Sequence, residues 1–288
     1  MHSASSQERN PVVILKSAYS TIFTHPVILY PLCLMAFIEL LTLEILFFAP
    51  RPPLAGFFAP LITQFEGEPF LRYPYNFILL AKWFDRVQLP LYVVFHSFFI
   101  GALVMAVHFI NEDQKLDMRK VLTSTLSRYI HLFLAALLSV GLIIKLSEVY
   151  QSVLKVTLLA DPNMPLLIRR FIFYGDNFID LFITVVVMTV MAFIVPIIVI
   201  ERRGFLAALI RNFRNQFKSW WFTFIVMLLT SVLYVPVLLL RMSWQKAQVW
   251  PVPELAVALL AASIFVLLFI EAIRYTAVTT YYLLQEGK

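Results

Sequence analysis

Long apolar segments alternate along this chain with amphipathic and charged ones, in an order that recurs three times. Each recurrence has an amphipathic stretch, two long apolar stretches and a few closing charged residues. Six apolar stretches reach the length of about 20 residues that a helix needs to cross a bilayer: 27–49, 89–110, 130–150, 178–200, 220–240 and 255–283. Recurrence at similar spacing is typical of a duplicated unit. We therefore predict an all-α polytopic membrane protein of six transmembrane helices, built as three repeats of an amphipathic helix plus a hairpin.

The repeats define one integral membrane domain over residues 1–288, with units at about 11–114, 115–203 and 204–288. Their opening amphipathic stretches are 12–19, 118–126 and 204–213. Such stretches either lie flat on the membrane surface or continue the adjoining membrane helix. The outer segments 75–86 and 164–174 leave the same choice open, with Trp83 and Tyr174 as interface anchors.

Composition supports the bilayer as the solvent of this chain. Hydrophobic residues make up 61% and charged residues 14%, whereas soluble proteins average about 45–50% and 25%. We count 12 Lys and Arg residues on one predicted side and 9 on the other, and five of the twelve crowd into 201–218. Cytoplasmic loops carry the excess of Lys and Arg. We therefore expect a multi-pass protein of a bacterial inner (plasma) membrane, with both termini in the cytoplasm and no cleaved signal peptide.

Three residues inside the apolar stretches affect local packing. Pro196 and Pro236 fall in the fourth and fifth stretches, where neighbouring helices tolerate a kink. The single cysteine, Cys33, excludes a disulfide framework, and we expect it to be a small buried hydrophobe.

Ionisable residues within the apolar stretches are costly and so are candidates for function. The predicted intramembrane charge cluster consists of Glu39, Glu44, His96, Glu271 and Arg274. Glu39 lies about 18 Å from the inner edge of a hydrocarbon core about 30 Å thick. Glu271 and Arg274 share a helix face and predict a buried ion pair, joined by Glu39, that either fixes helix register or serves as a relay or substrate site.

Four other ionisable residues fall near the predicted boundaries, where long side chains reach water. They are His108, Lys145, Glu148 and Asp180, which we interpret as interface residues.

No pattern typical of catalysis occurs. The sequence contains no His-Glu-x-x-His metal helix, nucleophile elbow, Walker A loop or dinucleotide-binding glycine pattern. The five histidines are scattered, and no two of them have metal-ligand spacing. We expect a non-enzymatic protein with no catalytic residue, no metal and no cofactor.

The segment 201–218 is the best-defined predicted surface. Its apolar residues recur at three- and four-residue spacing, and basic, Asn and Gln residues occupy the other face. The predicted contacts with anionic lipid are Arg202, Arg203, Arg211, Arg214, Lys218, Trp220 and Trp221. A basic amphipathic helix favours anionic headgroups. The alternative is that it packs on neighbouring helix ends and its charges only orient the protein, and both can hold.

The run 198–213, followed by Trp220 and Trp221, resembles a signature of bacterial multi-pass proteins related to the membrane domain of glycerophosphoryl diester phosphodiesterases. In both, an apolar span ends in Glu, a Gly follows, and an amphipathic helix leads to an aromatic entry into the next span. The closing run 279–287 is similar to the C-terminal span of that group. The resemblance covers roughly the last 100 residues and implies a six-helix membrane module. The soluble catalytic domain of some such proteins has no counterpart here, so diesterase activity is not implied.

These patterns favour a scaffold or accessory subunit of a membrane complex, organising lipid or partner membrane proteins. Its expected contacts are anionic lipid headgroups and other membrane proteins or further copies of the chain, without nucleic acid. The alternative is a transporter or lipid-translocating carrier, with Glu39, Glu271 and Arg274 lining its path. A polar lining between the helices would favour the carrier, and a dry apolar bundle the scaffold.

Overall fold

The computed structural model describes residues 10–156, 165–166, 175–242 and 254–287. Within these ranges the chain is helical and contains no strand, which confirms the predicted all-α class. Five helices are long and apolar enough to cross a membrane: Pro26–Phe48, Tyr75–Asn111, Tyr129–Val153, Asp176–Ile200 and Leu255–Glu286. The predicted outer segment 164–174, with Tyr174, lies almost wholly outside the described residues.

The elements follow one another with short connections. The helices are α1 (Pro11–Thr24), α2 (Tyr30–Phe48), α3 (Ala55–Phe65), α4 (Tyr75–Leu91), α5 (Ser97–Asn111), α6 (Met118–Leu126), α7 (Tyr129–Val149), α8 (Asp176–Val190), α9 (Ile194–Ile200), α10 (Phe205–Val232), α11 (Val235–Met242) and α12 (Leu255–Glu286). A π-helical turn, Tyr92–His96, joins α4 to α5, and a second, Tyr150–Lys155, continues α7.

Two helices form the centre of the bundle. Every residue of α5 from 99 to 107 is buried, and so is every residue of α12 from 270 to 279. α12 packs against α1, α2, α5 and α10. Gly101 allows the close approach of α5 to its neighbours, because a Cβ there would lie 2.5 Å from Cδ1 of Leu132 on α7. A helix that is apolar all round belongs in such a central position.

The outer surface of the bundle is apolar. Phe37 is 64% exposed, Trp221 73% and Phe217 91%. An exposed apolar surface of this extent is a liability in water and is the normal state in lipid. Cys33 lies on this surface, so our expectation that it is buried was wrong: α2 turns that side of the helix outward.

Some of the predicted amphipathic stretches form separate helices, and others continue an adjoining membrane helix. The first two form the separate helices α1 and α6, whereas the third continues without a break into α10. The outer segment 75–86 extends a span, because α4 runs through the π-helical turn into α5. The sequence analysis did not predict α3, although its apolar run 57–62 is long enough to pack on neighbouring helices.

The predicted fifth span is not among the five long apolar helices. It is divided between α10 and α11, which are interrupted at Leu233 and Tyr234, just before Pro236. Proline lacks the N–H that would bond the carbonyl four residues earlier, at Val232, and its ring clashes with that carbonyl, which explains the interruption. Polar residues along α10 lower the apolar character of this segment further: Asn212, Gln216, Lys218, Ser219, Thr223, Thr230 and Ser231.

The two faces of α10 have the orientation expected in lipid. Leu206, Ile210 and Phe217 of the predicted apolar face are exposed. Asn212 and Gln216, which the sequence analysis grouped with the basic surface residues, are instead buried. Lipid provides no hydrogen bonds, so amide side chains on a membrane helix are most stable when they point into the protein.

The buried amides of α10 compensate a break in the neighbouring helix. α8 ends at Val190 and α9 begins at Ile194. Backbone N–H and carbonyl groups beside this break lack helical hydrogen-bond partners. Nδ2 of Asn212 donates to the carbonyl of Val190 at 2.7 Å, and Oδ1 accepts from the N–H of Phe193 at 3.0 Å. Gln216 donates to the carbonyl of Thr189 at 2.7 Å. Pro196 favours the break, and α10 supplies the hydrogen bonds that the break removes.

We predict that Asn212→Leu lowers the melting temperature of the detergent-purified protein by several degrees. The change leaves a backbone N–H and a carbonyl unpaired, at about 1–3 kcal/mol each in the free energy of unfolding. Asn215→Leu is the matched control, because Nδ2 of Asn215 has no hydrogen-bond partner within the described part of the chain. Equal melting temperatures for the two variants, measured by intrinsic fluorescence, would contradict this account of the break.

Candidate functional site

A cavity of about 410 Å³, here called the central cavity, lies among α2, α4, α7, α8, α10 and α12. Most of its wall is apolar, with Met35, Ile143 and Ile264 as examples. One region of the wall is polar: Glu39, Tyr92, His96, Ser231, Glu271 and Arg274. Polar groups inside a membrane bundle are costly, so their convergence on one cavity marks a candidate binding site.

The polar lining continues to one end of the bundle. Asp85, Asn177 and Asp180 line the same cavity, and of these Asp85 and Asn177 are exposed while Asp180 is half-buried. Ser147 on α7 donates to Asp180 at 2.7 Å. Asp180 was predicted as an interface residue only, and the structure adds that it borders the cavity. The buried polar region is therefore connected by polar side chains to this end, here called the Asp180 end.

His96 and Glu271 form the closest charged contact in the central cavity. Nε2 of His96 contacts the Glu271 carboxylate, and both residues are buried. The ring of Tyr92 stacks on His96, with centroids 4.6 Å apart. Both aromatic residues belong to the π-helical turn, whose altered register places them side by side on the cavity wall. π-helical turns of this kind occur frequently at functional sites.

Arg274 has a different set of partners from the one predicted. Its Nε donates to Oγ1 of Thr230 at 3.2 Å, and a terminal nitrogen donates to Oγ of Ser231 at 3.1 Å. Among the described residues no ion pair joins Arg274 to Glu271, so the predicted direct pair was wrong. Shared position on one helix face brings two residues near each other, but here His96 and the hydroxyls of α10 lie closer.

The five residues of the predicted charge cluster do not all meet. Glu39 is buried on α2 and lines the central cavity with His96, Glu271 and Arg274. Glu44 is exposed and lies outside the cavity. A helix with 3.6 residues per turn places residues five apart on different faces, which separates Glu44 from Glu39.

A second charged network lies at the opposite end of the bundle, here called the Glu201 end. Arg211 binds the carboxylates of Glu201 and Glu286, each at 2.8 Å. Arg203 binds Glu201 at 2.7 Å, and the Tyr282 hydroxyl also contacts Glu201. These contacts tie the end of α9 to α10 and to the end of α12.

The predicted lipid-contact residues therefore divide into two groups. Arg203 and Arg211 are engaged in the network at the Glu201 end. Trp220 is half-buried and stacks on Phe224, with centroids 6.4 Å apart. The other predicted residues are exposed: Arg202, Arg214, Lys218 and Trp221. These four residues can touch a membrane surface, and so can Arg203, which is exposed although it binds Glu201.

Several charged residues outside the central cavity form ion pairs. Lys145 binds Glu148 at 2.6 Å, and His108 lies 3.4 Å from Glu112. Near α3, Glu66 contacts Lys82, Trp83 and Arg86. The Lys82 ammonium donates to the Glu66 carboxylate and, as the largest cause, holds the pKa of Glu66 below its ordinary value. This cluster anchors α3 to α4.

Sequence reasoning missed several residues of the cavity. Tyr92 and Ser231 line the cavity and Thr230 binds Arg274, and all three are uncharged, so a search for intramembrane charges passes over them. A detectable signal existed in α10, where polar residues recur at Asn212, Gln216 and Thr223 within an apolar helix. Within the described ranges no three His, Cys, Asp or Glu side chains form a group that could hold a metal ion. The polar side chains of the cavity offer charge pairing, proton exchange and hydrogen bonding.

We predict strong coupling between His96 and Glu271 in a double-mutant cycle on melting temperature. His96→Leu alone strands a buried carboxylate, and losing one partner of a buried pair typically costs about 3–5 kcal/mol. His96→Leu combined with Glu271→Leu removes both groups, so the double variant should melt above the His96→Leu protein. Lys145→Leu and Glu148→Leu supply the exposed control pair, for which we expect little coupling. Additive losses at both pairs would show that His96 and Glu271 do not interact.

Comparison with known proteins identifies no relative of this chain. No protein-family model, no curated protein and no solved structure matches the chain.

Proposed function

We propose that this chain is a membrane carrier that binds a small amphipathic molecule in the central cavity and moves it across the bilayer, in the manner of a lipid translocator. The single observation that carries the proposal is the polar wall of a cavity that otherwise has apolar sides. Ligand sites typically combine mostly apolar walls with a few converging polar groups. A polar lining between the helices favours a carrier, whereas a dry apolar bundle would favour a scaffold.

The arrangement of the two ends supports the carrier. Polar residues connect the buried cluster to the Asp180 end, whereas at the Glu201 end Arg211 joins α10 to Glu201 and Glu286. A cavity with a polar connection to one end and a bonded network at the other is the arrangement expected of one state of an alternating-access carrier. We propose that the network at the Glu201 end opens in the opposite state.

The proposed topology has six spans, three repeats and both termini in the cytoplasm of a bacterial inner membrane, with α10 and α11 together forming the fifth span. Glu201 and Glu286 close the second and third repeats, and both meet Arg211 at the Glu201 end. That end also carries the exposed Arg202 and Arg214. The excess of basic residues there supports a cytoplasmic location.

We further propose that the protein is not an enzyme and uses neither metal nor cofactor. The charged groups of the cavity contact one another or hydroxyls, as His96 does with Glu271 and Arg274 with Ser231. Such pairing suits binding of a charged headgroup more than attack on a substrate bond, which requires an activated nucleophile beside a base.

A scaffold that organises lipid or partner membrane proteins is the second candidate, and the exposed face of α10 favours it. Phe217 and Trp221 project from the bundle, with Arg214 and Lys218 exposed beside them. Apolar anchors next to basic residues are typical of contact with anionic lipid, at about 1 kcal/mol for each basic residue. Under this proposal the partners are anionic lipids and other membrane proteins or a second copy of the chain.

We expect cysteine-accessibility labelling to place residue 287 inside and Asn177 outside. In a Cys33→Ala background, a membrane-impermeant maleimide should label Asn177→Cys in intact cells and Gly287→Cys only after permeabilisation. We expect this result because the even number of proposed spans places both termini on one side, and the basic Glu201 end assigns that side to the cytoplasm. Labelling of position 287 from outside would exclude the topology.

We expect the purified protein to move acyl-labelled fluorescent phospholipids across the membrane of proteoliposomes, measured as the fraction accessible to dithionite. Leu181→Trp should reduce the rate, because Leu181 lines the central cavity and indole would fill it. Leu229→Trp is the matched control, because Leu229 is exposed on α10.

Equal rates for the two Trp variants and for empty vesicles would exclude lipid translocation. In that case the scaffold predicts that Arg214→Gln with Lys218→Gln releases anionic lipid, measured by mass spectrometry of the protein purified in mild detergent.

A further inference from the structure

The buried end of the central cavity presents charges of both signs. Arg274 provides a cation, Glu39 and Glu271 provide carboxylates, and all three line the central cavity. Each of the three is no more than 9% exposed. A buried charge is costly unless a neighbour or a ligand compensates it, and Glu271 already contacts His96 in this wall. The combination therefore carries information about the charge of the ligand.

Arg274 is suited to an anionic group. Its guanidinium has five N–H donors, and the described contacts on Thr230 and Ser231 use two of them. Both partners are neutral hydroxyls, and no carboxylate lies within ion-pair distance of Arg274 among the described residues. The hydroxyls hold the guanidinium plane in place at the cavity wall. A phosphate or carboxylate binds such a preorganised fork through two parallel hydrogen bonds.

Another part of the same cavity wall is suited to an ammonium group. Glu39 comes from α2 and Glu271 from α12, so the two carboxylates approach the cavity from different helices. Tyr92, stacked on His96, adds an aromatic ring to this wall. Carboxylates with an adjacent aromatic face are a common surrounding for organic ammonium ions.

The rest of the wall is apolar and suits hydrocarbon, with Met188, Leu267 and Ile270 as examples. We propose that the central cavity binds a zwitterionic headgroup that carries both an ammonium and a phosphate or carboxylate, with the anion on Arg274 and the ammonium beside Glu271 and Glu39. This inference rests on the proposed carrier function and names the headgroup that the carrier takes. A zwitterionic lipid and a free zwitterion both offer this headgroup chemistry. They differ in the acyl tail, which only the lipid carries.

Both charges on the ligand are needed for a simple physical reason. An anionic ligand would compensate Arg274 and bring a like charge towards Glu39 and Glu271. A cationic ligand would compensate Glu39 and Glu271 and bring a like charge towards Arg274. A zwitterion compensates both sides without adding net charge to a membrane interior, where net charge is costly. The cavity should therefore select against either single charge through repulsion as well as attraction.

The test is binding to the purified full chain in neutral detergent, measured by microscale thermophoresis with four probes. Lysophosphatidylethanolamine carries both charges, lysophosphatidylglycerol only the anion, and dodecylamine only the cation. Glycerophosphoethanolamine carries both charges without a tail. We expect lysophosphatidylethanolamine to bind at least about tenfold more tightly than either singly charged amphiphile, the factor typical of one additional charge-assisted hydrogen bond.

Two variants should separate the subsites. Arg274→Gln should weaken both phosphate-bearing lysolipids and leave dodecylamine unchanged. Glu271→Gln should weaken lysophosphatidylethanolamine and dodecylamine and leave lysophosphatidylglycerol unchanged. Arg274→Lys keeps the charge but loses the planar fork, so its affinity for both phosphate-bearing lysolipids should lie between those of the wild type and Arg274→Gln. Unchanged binding of dodecylamine by Arg274→Gln guards against a folding defect. Arg72→Gln and Glu44→Gln are the matched controls, since both residues are exposed and lie outside the cavity.

Each outcome decides the inference. The crossed pattern of losses supports it, and tight binding of glycerophosphoethanolamine assigns the site to a free zwitterion instead of a lipid. Equal affinity for all three amphiphiles, or equal losses in both variants, overturns the zwitterionic headgroup. The carrier itself is tested separately by lipid movement in the Leu181→Trp protein, so the headgroup can be wrong while the carrier is right.

Discussion

Lipid cannot form hydrogen bonds, and this constraint determines how α10 is oriented in the bundle. The helix carries polar residues along one side, and that side faces inward while Leu206, Ile210 and Phe217 face outward. In water the preference would be reversed, with apolar residues inside. The inward polar side then supplies partners to other helices. Asn212 compensates the break between α8 and α9, and Ser231 binds Arg274.

The central cavity depends on the same constraint. A buried guanidinium requires hydrogen-bond partners, and the hydroxyls of Thr230 and Ser231 provide them from α10. A buried carboxylate requires a hydrogen-bonding or charged partner, and His96 lies against Glu271. These partners come from three helical segments, so the charged groups also fix the relative positions of α10, α12 and the π-helical turn. Packing alone would hold these helices less specifically, because apolar contacts in lipid have little orientational preference.

The two charged regions have different physical roles. At the Glu201 end the charged groups contact one another directly through Arg211, next to the proposed aqueous phase. In the cavity His96 contacts Glu271, whereas Arg274 has only neutral hydrogen-bond partners among the described residues. The first arrangement closes helix ends, and the second leaves binding capacity for a ligand. This difference is the physical basis for placing the proposed ligand at Arg274 and the proposed closure at Arg211.

The sequence by itself determined the helical class and, closely, the bounds of four of the five helices that are long and apolar enough to cross a membrane. It also singled out Glu39, His96, Glu271 and Arg274, which the structure places on one cavity. These follow from composition and from the length of apolar runs, because both are properties of the chain in one dimension. Only the tertiary structure decided the partners. Periodicity shows that Glu271 and Arg274 share a helix face, but it cannot show which neighbouring helix lies opposite. The structure places His96 against Glu271 and the α10 hydroxyls against Arg274, and it turns Asn212 inward. The faces of a helix are encoded locally, whereas the helix that meets each face depends on packing between distant segments.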